Sequence, residues 1–317
     1  MEIIDISQIN AKKIKTPLAT VVILTYKRFE TLERAVQSVL SQDYPEIEVI
    51  VQDDGSADFD RQTIESLFGN KGGNIRQILI RSNETNMGTV RNFNSAVEVS
   101  HGEVIIPLAC DDAFYSSHAV SAIMKAFTEG IDVCTAKREG RQSGTVYPSR
   151  EDIDLLKFGS KERLLARLFY SNFISGASTC YSKSYLDRMG GFDTDYKLME
   201  DYPMAIKTIA HGKGIFFLDE ITILYDETGV SSKGVLAKGI NPLFISDNKT
   251  CYEKDIMPNL GLIRNRQFSR YIGFTYEHVF GKTRLQKAAC MLKYPDVLAI
   301  KARSKATGKN EFELIMG

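Results

Sequence analysis

From Thr20 onward, short β-branched runs alternate with segments whose apolar residues recur at helical spacing. The runs at 20–25 (TVVILT), 47–52 (IEVIVQ), 75–80 (IRQILI), 103–109 (EVIIPLA) and 131–136 (IDVCTA) are too short for helices and too apolar for loops, so they read as buried strands. After the first run, Leu32, Ala35, Val36, Val39 and Leu40 share one helix face. Val90, Phe93, Ala96 and Val97 mark a second helix after a glycine turn, and Ala119, Ile123 and Phe127 mark a third. Alternation of this kind predicts an α/β fold, a mostly parallel central sheet with helices on both faces. Residues 137–175 are less regular and read as an excursion across the surface before a helix rich in Leu and Arg begins near Lys161; no chemistry is assigned to them.

In such sheets ligands bind beyond the carboxyl ends of the strands. Three strand ends carry unusual residues: Thr25-Tyr26-Lys27-Arg28, Asp53-Asp54-Gly55-Ser56 and Asp111-Asp112. A carboxylate at 53 or 54 suits the N–H groups of a nucleobase or a ribose hydroxyl, with Gly55 permitting the tight turn. The same residues also make an ordinary β-turn. The adjacent carboxylates of Asp111 and Asp112 repel each other where a strand surfaces, which calls for a cation, magnesium or manganese by its oxygen donors, or else for a helix N-terminus. Asp201, in Met199-Glu200-Asp201-Tyr202, opens a helical segment. There it either serves as a general base held ionised by the helix dipole or simply caps the helix. Arg91 lies one turn into the second helix, as a contact to base or phosphate or as a structural arginine. The histidines at 101, 118, 211 and 278 form no ligand cluster.

Composition narrows the classes. The 317 residues are 43% hydrophobic and 25% charged, as in a globular chain with one large domain and an appendage. Forty Lys and Arg balance forty Asp and Glu, so bulk charge argues for no nucleic-acid partner. The cysteines at 110, 134, 180, 251 and 290 are odd in number and lack C-x-x-C spacing, as expected of reduced thiols in a cytoplasmic protein. The N-terminal stretch lacks the features of a signal peptide, and no run approaches the ~18 apolar residues of a membrane span. Residues 261–310 hold eleven Lys and Arg against two acids, interleaved with Phe268, Tyr271, Ile272, Phe274, Tyr276, Val279 and Phe280. This segment is expected either to lie on an anionic membrane surface, at the inner face of the membrane, or to pack on the catalytic domain or a partner subunit.

In their order, the blocks VVILTYKRFETLERAVQSVLSQDYPEIEVIVQDDGSAD, NMGTVRNFNSAVEVSHGEVIIPLACDDAFY and MGGFDTDYKLMEDYPMAIKTIAHG resemble the family 2 inverting glycosyltransferases with the A-type, nucleotide-diphospho-sugar transferase fold. The likeness covers about residues 19–235. It implies an N-terminal segment at 1–18, a catalytic domain at 19–235 and a basic, mostly helical extension at 236–317. It further implies Thr25, Tyr26, Arg28, Asp53, Asp54 and Arg91 around the nucleotide, Asp111 toward the ribose, Asp112 on a divalent metal (Mn or Mg) and Asp201 as base. Glu200, Gly176 and Ser231 fall on the acceptor side. The implied reaction moves a sugar, with inversion, from a nucleotide-sugar donor, UDP-linked by default, to a saccharide or lipid-linked acceptor in surface polysaccharide synthesis.

Two departures stand out. Ala109 occupies the place of a further Asp found in many relatives, and Asp226, in LYDETGVSS (224–232), falls where an arginine often stands. A sugar-phosphate nucleotidyltransferase would carry a glycine-rich loop after the first strand, which TYKRFET lacks. A dinucleotide dehydrogenase would carry G-x-G-x-x-G. A partner subunit that keeps the fold without activity would have no need of both Asp112 and Asp201.

Overall fold

The structure, a computed structural model, describes residues 16–128, 130–228, 241–281 and 283–317. The first half of the sheet is parallel: β3 (Ile75–Ser82), β2 (Ile47–Asp53), β1 (Ala19–Thr25) and β4 (Val104–Ala109) lie side by side in that order. Because successive side chains point to opposite faces, β1 feeds two layers. Val21 and Ile23 meet Leu32, Ala35, Val36 and Val39 of α1 (Phe29–Leu40), while Val22 packs with Val90, Phe93, Ala96 and Val97 of α3 (Thr89–Glu98). With both faces covered, the strands read as nearly unbroken apolar runs. The short α2 (Arg61–Ser66) joins β2 to β3.

Beyond β4 the sheet becomes mixed. β8 (Thr179–Ser182) pairs antiparallel with β4 and with β6 (Val133–Gly140); β9 (Phe216–Tyr225) runs parallel to β6 and carries β5 (Ala113–Phe114) antiparallel at the edge. β7 (Val146–Tyr147) folds back on the end of β6. The parallel arrangement read from the sequence therefore holds for the first four strands. Beyond them the pairing is mixed: β8, β5 and β7 pair antiparallel with their neighbours, while β9 runs parallel to β6. α4 (Ala119–Phe127) covers the same face as α1. α5 (Arg150–Phe158), α6 (Lys161–Tyr170), α7 (Lys183–Met189) and α8 (Asp201–Ala210) complete the body.

The C-terminal part is helical: α9 (Pro242–Cys251), α10 (Arg266–Phe280), α11 (Arg284–Lys293), α12 (Pro295–Thr307) and α13 (Glu311–Met316). Of the two placements expected for the basic segment, four of its apolar residues take the second: Phe268, Tyr271, Ile272 and Phe274 are buried in the core that also holds Phe169 and Leu165 of α6, and so pack on the catalytic body. The Tyr271 ring stacks on Tyr170 at 5.7 Å between centroids, and Phe268 meets Phe312 edge-on at 6.1 Å. All five cysteines are buried and free.

Candidate active site

Along the carboxyl ends of β1, β2, β4, β6 and β9 runs a cleft of about 1440 Å³, closed on the far side by α6, the turn before β8, the start of α8 and the C-terminal helices. Its end beside β2 is held together by Asp54, which is 3% exposed. Its Oδ1 accepts the Met87 N–H (2.9 Å) and the Asn83 side-chain amide (3.0 Å), and its Oδ2 accepts the Gly88 N–H (2.8 Å), tying the end of β2 to the loop before α3. Gly88 has φ +88°, and a Cβ there would lie 2.7 Å from the Lys197 carbonyl oxygen, so only glycine fits where this loop meets the approach to α8.

Asp53 behaves differently. Its carboxylate accepts the Ser56 N–H (2.8 Å), the Ser56 hydroxyl (2.6 Å) and the Ser82 hydroxyl (2.6 Å) inside the fold and does not line the cleft, so at this position the turn reading holds. Arg91 is exposed and likewise lies outside the cleft lining. Thr25, Tyr26, Arg28, Asp111, Asp112, Gly176, Glu200 and Asp201 all line it; Ser231 lies outside the described residues.

The acidic pair divides its duties. Asp111 forms an ion pair with Arg28, and its carbonyl accepts from Arg34. Asp112 is 1% exposed, and its Oδ1 accepts the backbone N–H of Asp226 at 2.7 Å. Burial, with the charges of Asp111 and Asp226, pushes its carboxyl up to about 7 against that hydrogen bond and the Arg138 charge. Neither residue caps the following helix, whose N-cap is His118.

Asp226, which stands where relatives often carry an arginine, also lines the cleft. Burial would raise its carboxyl, but hydrogen bonds from the Thr228 side chain and backbone and from Gln142, with the Arg141 charge, bring it down to about 2. It pairs with Arg141 at 3.1 Å and Arg34 at 3.6 Å.

Among the described residues no three His, Cys, Asp or Glu side chains gather as a metal cage. The donor set still fits a hard cation of the magnesium or manganese type. Such ions are commonly held by one or two carboxylates plus substrate phosphates, and Asp112 lines the cleft with an Oδ2 that takes no hydrogen bond among the described residues.

Across the cleft, Asp201 is the first residue of α8, with Glu200 at the N-cap. Its Oδ2 accepts the Gly176 N–H (3.0 Å) and the Asn172 amide (3.2 Å), and its Oδ1 accepts the Tyr202 N–H (2.7 Å). Burial outweighs these donors and leaves the Asp201 carboxyl above its ordinary value. Glu200 beside it is pushed up to about 8, first by burial and then by the Asp201 charge. A carboxylate with a raised pKa that faces a cleft is a competent proton acceptor.

The irregular stretch 137–175, to which the sequence reading gave no chemistry, contributes Arg138, Tyr147, Asn172 and Ser175 to the lining. The Tyr147 hydroxyl donates to the Asn172 carbonyl at 3.3 Å, so this stretch also braces the group that holds Asp201.

A mixed sheet with helices on both faces and a cleft at the carboxyl ends of its strands is the nucleotide-diphospho-sugar transferase fold of the A type. The family model for glycosyl transferase family 2 matches residues 20–190, and the chain belongs to that family. It is similar to an uncharacterized glycosyltransferase of Rickettsia prowazekii, 26% identical over 218 residues, and spans 64% of that relative's length with 67% of its own. It is also similar to the GalNAc(5)-diNAcBac-PP-undecaprenol beta-1,3-glucosyltransferase of Campylobacter jejuni, 29% identical over 131 residues that cover 40% of this chain and 41% of the other. Among solved structures, S. aureus TarS 1-349 in complex with UDP-GlcNAc aligns with a TM-score of 0.58 at 17% identity, over 92% of each chain. A mannosyltransferase of Pyrobaculum calidifontis in complex with GDP-Man and Mn2+ aligns at 0.60 and 15% identity, over 96% of this chain and 86% of the other.

Proposed function

We propose that the chain transfers a sugar from a nucleoside-diphosphate donor, uridine-linked by default, to a hydroxyl of a saccharide acceptor carried on a lipid, with inversion at the anomeric carbon. The observation that carries this reading is that Asp112 and Asp201, distant in sequence, line one cleft whose nucleotide end is organised by Asp54. Asp201 takes the proton of the acceptor hydroxyl. The acceptor oxygen bonds to the anomeric carbon, and the bond from that carbon to the diphosphate breaks with its electron pair leaving on the nucleotide. Gly176 and Asn172 fix the direction of the Asp201 carboxylate, so that it faces the hydroxyl at the start of the reaction. A divalent cation, when bound, would be held by Asp112 and would offset the charge on the departing diphosphate. The family and the named relatives support the class of donor and product; the Campylobacter enzyme's name supports a lipid-linked acceptor.

The same reading gives the C-terminal helices a place at an anionic lipid surface. Among the described residues no helix is long and apolar enough to cross a membrane. α11 instead presents Leu285, Ala288 and Leu292 outward along one face, beside Arg284 and Lys287, neither of which forms an ion pair among the described residues. α11 follows directly on Val279 and Phe280 of α10, which border the cleft, so a lipid surface against α11 would bring its anchored acceptors to the cleft mouth.

The test is calorimetric titration with UDP, GDP and their sugars, with and without Mn2+, followed by transfer assays. Asp201→Asn is expected to keep donor affinity within twofold and lose about 10²–10⁴ in transfer rate, whereas Asp112→Asn loses the metal-dependent part of nucleotide binding. A wild-type protein that binds none of these nucleotides overturns the donor reading.

A further inference from the structure

Among the described residues two arginines line the cleft: Arg28 is paired with Asp111, and Arg138 forms no ion pair. Among the described residues the Arg138 guanidinium donates no hydrogen bond and has no carboxylate within ion-pair distance, and its Nε is buried without a partner. What holds it is stacking. Arg138 of β6 stands directly across from Tyr147 of β7, and Tyr225 of β9 lies opposite Gly140, two residues further along β6 and therefore on the same face. The guanidinium carbon sits 3.8 Å from the Tyr225 ring centroid and 4.8 Å from that of Tyr147. Two rings thus orient a planar fork of five N–H donors without using any of them. The buried Nε left without a partner is costly, and the remaining donors of the fork are free among the described residues, which makes it a site for an anionic acceptor group.

Its surroundings identify the group. On one side the Arg138 charge acts on the Asp112 carboxylate. On the other, Tyr147 reaches the Asn172 carbonyl, and Asn172 donates to Asp201. Arg138 therefore acts on the carboxylate assigned to the cation, and its stacking partner Tyr147 connects through Asn172 to the one assigned to the acceptor proton, all within one cleft. With Ala109 leaving Asp112 as the main acidic ligand, a second positive charge has work to do here.

We propose that Arg138 binds the terminal phosphate of the donor's diphosphate and stabilises the charge that grows on it as the anomeric carbon–oxygen bond breaks. This inference rests on the donor reading above. The electron pair of the breaking bond goes to the phosphate oxygen, the acceptor proton goes to Asp201, and Arg138 keeps all its protons throughout. A bidentate fork on phosphate also carries orientation that a lysine would not.

The experiment compares intact wild-type protein with Arg138→Met and Arg138→Lys. It uses calorimetry with UDP and GDP, with the matching monophosphate of whichever diphosphate the wild type binds, all in Mn2+. Arg138→Met is expected to weaken the diphosphate at least tenfold, leave the monophosphate within about twofold and slow transfer; Arg138→Lys regains part of the diphosphate affinity. Unchanged diphosphate affinity in Arg138→Met overturns the assignment. So does equal loss for mono- and diphosphate, which marks the stack as structural, and so does a rise in acceptor KM alone. A wild type that binds neither diphosphate sinks the donor reading itself, an outcome separate from these.

Discussion

Two neighbouring carboxylates at the floor of the cleft cannot both ionise at the usual pH without opposing each other, and Glu200 is the one that keeps its proton longer. Its folded value of about 8 lies above the ordinary 4.5 because of burial first and Asp201 second. The sign of the consequence follows from linkage. Between those two values the native state holds a proton that the unfolded chain has released, so the associated stability is complete below about 4.5 and drains away as pH rises through about 8. Gln at this position has no proton to lose. The melting temperature of Glu200→Gln should therefore gain on wild type from pH 5 to about pH 8 and level off above it, read by thermal unfolding in a common buffer series. A difference that stays flat, or shrinks with pH, would show that Glu200 is already ionised in the folded protein.

Elements explain why some of this was legible in the sequence and some was not. The strand-end acids at 54 and 112 and the helix-start acid at 201 could be found because each follows or opens an element with an unmistakable period, and Gly55 declares its turn. Its φ is +76°, and a Cβ there would lie 2.6 Å from the Thr85 backbone carbon. Asp53 and Arg91 belong to equally legible motifs, yet sequence cannot say which of two adjacent carboxylates turns inward to Ser56 and Ser82, or which face of α3 meets the cleft. Arg138, Tyr147 and Asn172 were missed for another reason. Lys137-Arg138-Glu139 reads as a polar strand end, and its value comes only from β7 and β9, far away in the chain.

The single turn at Gly176–Ser178 is a similar case, since its role is visible only once α8 is packed beside it. A Cβ on Gly176 would lie 2.9 Å from the Asp201 Cβ and 3.1 Å from its Oδ2, closer than packed carbons approach. Gly176→Ala should therefore swing the base away. About 10²-fold is expected to be lost from kcat for a shift near 1 Å, with nucleotide affinity kept and the fold intact by circular dichroism. An unchanged kcat would mean that the turn yields and that Asp201 is not held by it.

At the scale of the whole molecule, the sheet and the C-terminal helices share one core, and this decides how the lipid-surface reading can be tested. Removing everything after about residue 260 takes away Phe268, Ile272 and Phe274, each of which contributes roughly 1.5–3 kcal/mol by burial, and uncovers Phe169 and Leu165 beneath them. A truncated chain that fails to bind vesicles would then report unfolding. Leu285 and Leu292 offer a cleaner handle, because at 82% and 85% exposure they contribute little to folding and lie seven residues apart on one face of α11. The double variant Leu285→Glu, Leu292→Glu removes apolar contact and adds two charges of the wrong sign next to Arg284 and Lys287. It should keep the wild-type melting temperature and lose at least tenfold in flotation with phosphatidylglycerol vesicles. Wild-type flotation itself should weaken as salt rises, since each nearby cation contributes about 1 kcal/mol that screening removes. Flotation that survives in the double variant moves the contact to another face, and a wild type that never floats on anionic vesicles at low salt leaves the acceptor to reach the cleft from solution.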